Sequence, residues 1–183
     1  MEKGSIVHEN IFPETQHKDL TRIVAISIDE GSAEYVYDWA TKNFIDPKRD
    51  MVSLLNCRTV IEPMAPYISP KGFHEEVDDT KKIKSHALLQ SYAHRLTEQG
   101  IAVRAIALLG EPKHEVLKKV AELKADVLIM GTRQLGTIKR ALMGSTSDYL
   151  SHHSSCTTIV VRAHHEDPEG KHPIKSIYKR HEE

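Results

Sequence analysis

Five short stretches rich in β-branched residues alternate with helical stripes along this chain, and the alternation leaves few folds open to it. Arg22 to Ile28 reads Arg-Ile-Val-Ala-Ile-Ser-Ile, as expected of a strand buried on both faces. Asp29-Glu30-Gly31-Ser32 then supplies turn and helix-start chemistry. Ala33, Val36, Tyr37, Ala40 and Phe44 follow at i, i+3, i+4, i+7 and i+11, the stripe of a helix that Asp46-Pro47 ends. A second strand runs from about Met51 to Cys57. The connection after it, with Pro63, Pro66, Pro70 and Gly72, is too broken for regular structure. The next helix covers about 79–99, carries Leu89, Tyr92, Ala93 and Leu96 on one face and stops at Gly100. Ile101 to Leu109 is a third strand, and Pro112 suits the first turn of a helix bearing Val116, Leu117, Val120 and Ala121. Asp126 to Met130 is a fourth strand. A glycine-punctuated loop then runs to Gly144, a helix covers about 145–153, and Thr157 to Arg162 is the last strand.

The order βαβαβαβαβ requires crossovers between parallel strands, and helices of this length provide them. The expected fold is therefore α/β, an open doubly wound, mainly parallel five-stranded sheet with helices on both faces. Ligands of such sheets bind beyond the carboxyl ends of the strands, where the strand order reverses. That places the rim at Ile28-Asp29, Asn56-Cys57, Leu109-Gly110 and Met130-Gly131. Residues 1–20 carry no periodic pattern and are expected to be a flexible arm; 21–162 form the domain, and 163–183 a polar tail. The net charge of −1 recruits neither nucleic acid nor anionic membrane, and no apolar run approaches the roughly 20 residues that span a bilayer. Cys57 and Cys156 form no CxxC pair, and the amino-terminal residues lack an apolar signal core, so a cytoplasmic setting is expected.

The most informative segment is Gly131-Thr132-Arg133-Gln134-Leu135-Gly136-Thr137-Ile138-Lys139-Arg140-Ala141-Leu142-Met143-Gly144-Ser145-Thr146-Ser147. It leaves a strand end, contains three glycines and closes on a helix start. Glycine lets the backbone approach an anion, and the first amides of a helix point outward where its dipole favours negative charge. With three hydroxyls in a row, the segment reads as a phosphate cradle. Walker A spacing fails because Thr137 stands where lysine is required, and no GxGxxG occurs.

On these residues the chain resembles the universal stress protein family over 20–162. The family motif is Gly-x-x-Gly, nine residues, then Gly-Ser or Gly-Thr; Gly131, Gly144 and Ser145 match its first glycine, last glycine and hydroxyl. The entry Met130 to Arg133, the Ser147-Asp148-Tyr149 run, Gly110-Glu111-Pro112 and the Cys-x-x-Ile-Val-Val-Arg ending at Arg162 look like the eukaryotic branch. The resemblance implies a bound adenine nucleotide, ATP with Mg²⁺ as the expected cofactor. Ile28 and Asp29 would lie beside the adenosine, Cys57 would pack on the base, and Met130 and Gly131 would line the same side. Arg133, Gly144, Ser145, Thr146 and Ser147 would surround the phosphates. The motif's second glycine falls on Gln134, and Gly136, two residues on, is the candidate to restore flexibility. The resemblance also implies a homodimer through the edge strand 157–161.

Plainer roles stand beside these. Asp29 and Ser32 can cap the helix that follows them, and Ser145 with Asp148 has the spacing of a capping box. Cys57 alone reads as a small core residue, and Leu88, Leu89, Tyr92 and Leu96 read as core packing. The twelve histidines form no metal motif. No base or arginine finger is recognisable, so hydrolysis is expected to be slow at most. The favoured function is an ATP-binding regulatory or stress-response protein. The alternative is a dimeric, chaperone-like relative that has lost the nucleotide through Gln134. An adenylating pyrophosphatase would show Ser-Gly-Gly-x-Asp-Ser after the first strand, where this chain has Ser27-Ile28-Asp29-Glu30-Gly31-Ser32.

Overall fold

Among the described residues the alternation in the sequence becomes a six-stranded sheet in order β1-β4-β3-β2-β5-β6, covered by four helices. The structure, a computed structural model, describes residues 8–11, 20–59, 71–132 and 144–162, with 8–11 and 71–78 as backbone. The strands are β1 (His8–Ile11), β2 (Arg22–Ser27), β3 (Asp50–Arg58), β4 (Ala102–Leu109), β5 (Val127–Gly131) and β6 (Thr157–Val161). The helices are α1 (Ala33–Asn43), α2 (Lys71–Glu98), α3 (Pro112–Glu122) and α4 (Ser145–His153). Strands β2 to β6 pair in parallel, which yields the five-stranded doubly wound sheet expected from the alternation.

Because side chains alternate across a strand, each buried strand feeds two cores. Val24, Ile26, Val52, Leu54, Val103 and Ile129 face α1 and α2. Ala25, Leu55, Ile106, Leu108, Leu128 and Met130 face α3 and α4. From β2 the chain winds outward through β3 to β4, then returns past β2 to β5 and β6. The reversal falls between β2 and β5, so the crevice of this fold opens beyond their carboxyl ends.

Local chemistry ends the helices where it must. At the end of α2, Gly100 takes φ +72, with its amide donating to Thr97 O and the Ile101 amide to Leu96 O. This is the left-handed closure that glycine favours. Lys124 closes α3 in the same way at φ 50, without being glycine. At the amino ends of β2 and β3, buried Asp50 accepts from Arg22 Nε at 2.7 Å, Arg22 Nη2 at 2.6 Å and the Asp46 amide at 2.7 Å. The Arg22 guanidinium also lies 4.3 Å over the Phe44 ring.

Two expectations need correction. The arm 1–20 contains regular structure: His8–Ile11 pairs antiparallel with β4, from His8 opposite Ala107 to Ile11 opposite Arg104. Strand pairing is backbone chemistry, so a neighbouring edge can impose it on a polar segment. Helix α2 begins at Lys71, eight residues before the expected start, and runs through Gly72. One glycine costs a helix only about 1 kcal/mol. The tail 163–183 lies outside the described residues.

Candidate functional site

The walls of the site are strand ends, the start of α4 and one side of α2. After β2, the Ile28 amide stays in the sheet by donating to Leu55 O at 2.9 Å. The chain then turns around Asp29, whose Oδ1 accepts from the Gly31 amide at 3.0 Å, the Ser32 amide at 2.8 Å and the Ser32 hydroxyl at 2.8 Å. Asp29 thus holds the turn ahead of α1 and does not cap the helix itself, whose N-cap is Ser32. Ser32 occupies the cap position without a side-chain cap bond of its own.

At the end of β3, Asn56 Nδ2 donates to Ile28 O at 2.8 Å, and Asn56 Oδ1 accepts from Ser85 Oγ of α2 at 2.5 Å. Both side chains are buried, so this relay pins β2, β3 and α2 together at the rim. Cys57 Sγ donates weakly to Gly110 O at 3.7 Å. Burial, with Glu115 and Glu111 nearby, pushes its thiol up to about 12. It is a packing thiol with no nucleophilic character near neutral pH.

The start of α4 forms the remaining wall. Gly144 is its N-cap, at φ −66 and ψ 154, and among the described residues no side chain caps the helix. The Asp148 amide and the Ser147 hydroxyl both donate to Gly144 O, at 2.9 and 3.0 Å. The capping box read for Ser145 and Asp148 therefore does not form, because Ser145 is already inside the helix. The Ser147 hydroxyl, read as a phosphate donor, is spent on its own turn. The amides of the first turn remain without a side-chain cap, which makes this helix end receptive to an anion.

These walls enclose two adjoining hollows, of about 590 and 170 Å³, that share Asp29, Cys57, Pro112, Ser145 and Thr146. The smaller hollow gathers most of the sequence-predicted residues: Ile28 and Asp29 just after β2, Cys57 from β3, and Met130 and Gly131 from β5. Gly144, Ser145, Thr146 and Ser147 complete it from α4. Arg133, Gly136 and Gln134 lie outside the described residues.

The two motif glycines differ in what holds them as glycine. A Cβ on Gly131 would meet Ser32 Cβ at 2.7 Å and Tyr35 Cζ at 2.9 Å. One on Gly144 would meet, among the described residues, only Ser147 Oγ at 3.8 Å. Gly131 answers to packing, whereas Gly144 leaves room for close approach to the helix start.

The larger hollow contains residues that reading the strand ends did not find. Lys81, Lys84, Ser85 and Leu88 line it from α2, and Glu30 and Glu111 from the loops. Leu88, read as core, is half-buried at the cleft, while Leu89, Tyr92 and Leu96 do sit in the core. The spacing Lys81, Ser85, Leu88 was the available signal, since i, i+4 and i+7 share a helix face. Among the described residues no group of three or more His, Cys, Asp or Glu could hold a metal ion.

An open doubly wound α/β domain with a cleft across its point of strand reversal, and an uncapped helix start in that cleft, defines the class of this protein. Within that class the chain belongs to the universal stress protein family, whose family model matches residues 22–162. A protein of Staphylococcus saprophyticus that carries the family's name is 30% identical over 166 residues, covering 86% of this chain and 96% of its own. Universal stress protein YxiE of Bacillus subtilis is 28% identical over 93 residues, 51% of this chain. The match to YxiE spans 63% of that relative, under two thirds of its length. Among solved structures, a universal stress protein family member from Arabidopsis thaliana with AMP bound superposes with a TM-score of 0.59 at 18% identity. That superposition covers 80% of this chain and 95% of the other.

Proposed function

We propose that this universal stress protein binds an adenine nucleotide, ATP with Mg²⁺, in the cleft beyond β2 and β5, and that it acts as a regulatory rather than a catalytic protein. The observation that carries the reading is the start of α4: an uncapped helix end, preceded by a glycine that no described neighbour requires, opening into the cleft. Phosphates would sit on the amides of Ser145, Thr146 and Ser147, with Arg133 and Gly136 as further phosphate contacts. The adenosine would lie against Ile28, Asp29, Cys57 and Met130. AMP in the Arabidopsis structure supports an adenine ligand for this fold. A magnesium ion would take its oxygens from the phosphates and water. Hydrolysis would be slow, since the Cys57 thiol is no nucleophile and Asp29 is engaged by three donors. The protein would act in the cytoplasm as a homodimer joined through β6.

Thermal-shift titration with ATP and Mg²⁺ tests this. At a hundredfold excess over Kd, ATP stabilises the native state by about 2.7 kcal/mol. Gly144→Ala should cost the free protein at most about 1 kcal/mol while weakening ATP roughly tenfold. A second reading, a dimeric chaperone-like protein without nucleotide, draws on Gly131, whose identity is explained by Tyr35 and Ser32 alone. An absent shift at millimolar ATP would favour that reading.

A further inference from the structure

Helix α2 reaches the cleft from the face opposite α4. Leu89, Tyr92 and Leu96 of α2 pack with α1 in one core, whereas Leu150 of α4 packs in the other. Where α2 passes the end of β3, Lys81 and Lys84 line the larger hollow one turn apart. Ser85, next to Lys84, is buried and fastened to Asn56, so the position of this turn over the cleft is fixed by the same relay that shapes the rim. Among the described residues neither lysine has an ion-pair partner. The carboxylates of the hollow stand elsewhere: Glu30 and Glu111 on the loops after β2 and β4, and Asp29 already bonded within its own turn. The cleft therefore offers an anion two places on opposite faces of the sheet, the start of α4 and the lysine pair of α2.

We infer that the cleft takes a nucleotide bearing phosphate at two separated positions, the first at the start of α4 and the second between Lys81 and Lys84. This rests on the adenine-nucleotide reading above and names the ligand class of the same cleft. Two ammonium groups on flexible stems suit a phosphate approached as a point charge. The second phosphate would come from a nucleotide phosphorylated on its 3′ oxygen or from a 3′–5′ dinucleotide.

Calorimetry on the full chain at about 0.1 M salt, where partly exposed charges still act over roughly 10 Å, tests the inference. The probes are AMP, adenosine 3′,5′-bisphosphate and the dinucleotide pApA, each against the parent and Lys81→Gln/Lys84→Gln. The second phosphate should tighten binding about fivefold to tenfold over AMP. The double variant should lose that gain and keep the AMP affinity within about twofold. A gain for the bisphosphate alone assigns the subsite to a free 3′-phosphate, and a larger gain for pApA assigns it to a dinucleotide. AMP binding with no gain, or a gain that survives in the variant, overturns the inference alone. Failure of AMP itself to bind overturns it together with the adenine-nucleotide reading.

Discussion

The phenol of Tyr35 occupies the space that a side chain on Gly131 would need. Its hydroxyl donates to Thr132 O at 2.5 Å, and burial raises the phenol's pKa, so the ring is held as a neutral donor across the carboxyl end of β5. Gly131→Ala should therefore lose about 1–3 kcal/mol in urea unfolding, the range for overpacking, without any ligand present. Adding Tyr35→Phe should recover only part of it, because Ser32 Cβ still crowds the new atom. Parental stability in Gly131→Ala would mean that the phenol moves aside freely.

Acid should unfold the protein through a small set of carboxylates. Burial alone would raise Asp50, but the Arg22 hydrogen bond and the Asp46 amide outweigh it and hold the carboxyl below its ordinary 3.8. Arg95, bonded at 2.8 Å through both nitrogens, and Tyr92 hold Glu34 down at about 2. Depressed values of this kind stabilise above the unfolded pKa and lose their effect as pH falls through the folded one. The urea midpoint should hold above about pH 5 and fall between about pH 4.5 and 2. Glu34 is 65% exposed at its side chain, so its share is small and vanishes in high salt. Asp50→Asn should cost about 2–4 kcal/mol at pH 7 and flatten the acid limb. An unchanged acid limb in that variant would remove Asp50 from the account.

Among the described residues Lys124 is the one non-glycine residue with a positive φ. It holds φ 50 while its amide donates to Ala121 O and the Ala125 amide to Val120 O, each at 3.1 Å. Glycine takes that conformation freely, so Lys124→Gly should gain about 0.5–1 kcal/mol, a rise of roughly 1–4 °C in Tm. Lys124→Ala keeps the strain and should show no gain. A fall in Tm for Lys124→Gly would show that the lysine side chain contributes more than its backbone loses.

The dimer proposed through β6 has a direct readout. That strand pairs with β5 on one side, and among the described residues no strand pairs with its other side. Light scattering at micromolar concentration should give about twice 20.7 kDa. Thr158→Lys, a charge on the edge, should return the mass to that of one chain. A parent protein that already runs as one chain would refute the interface.

Where local pattern and tertiary demand agree, the sequence was readable to the residue. Helix α4 begins at Ser145 and ends at His153 as read, because a glycine loop precedes it and the last strand follows. Local reasoning failed where the deciding partner is distant. The segment His-Glu-Asn-Ile at 8–11 has no strand pattern of its own and becomes β1 only against β4. The prolines at 63, 66 and 70 give the connection a broken local pattern, yet a helix starts one residue beyond the last of them. The strand ends at Ile28-Asp29, Asn56-Cys57 and Met130-Gly131 do line the hollows, whereas Leu109-Gly110, read as part of the same rim, lines neither. Lys81, Lys84 and Ser85 were not legible, since polar side chains on a helix leave no apolar stripe to mark them. The N-cap of α4 falls one residue earlier than the capping box expected, at Gly144, whose carbonyl accepts from the Ser147 hydroxyl.

Strand β1 changes the flank of the sheet that β4 would otherwise present, and it runs against the direction of its neighbour. Opposite Arg104–Ala107 the outermost strand is now one of four residues, where β4 has eight. A rim that short offers another copy few rungs to add to, which is one way a sheet discourages edge-to-edge stacking.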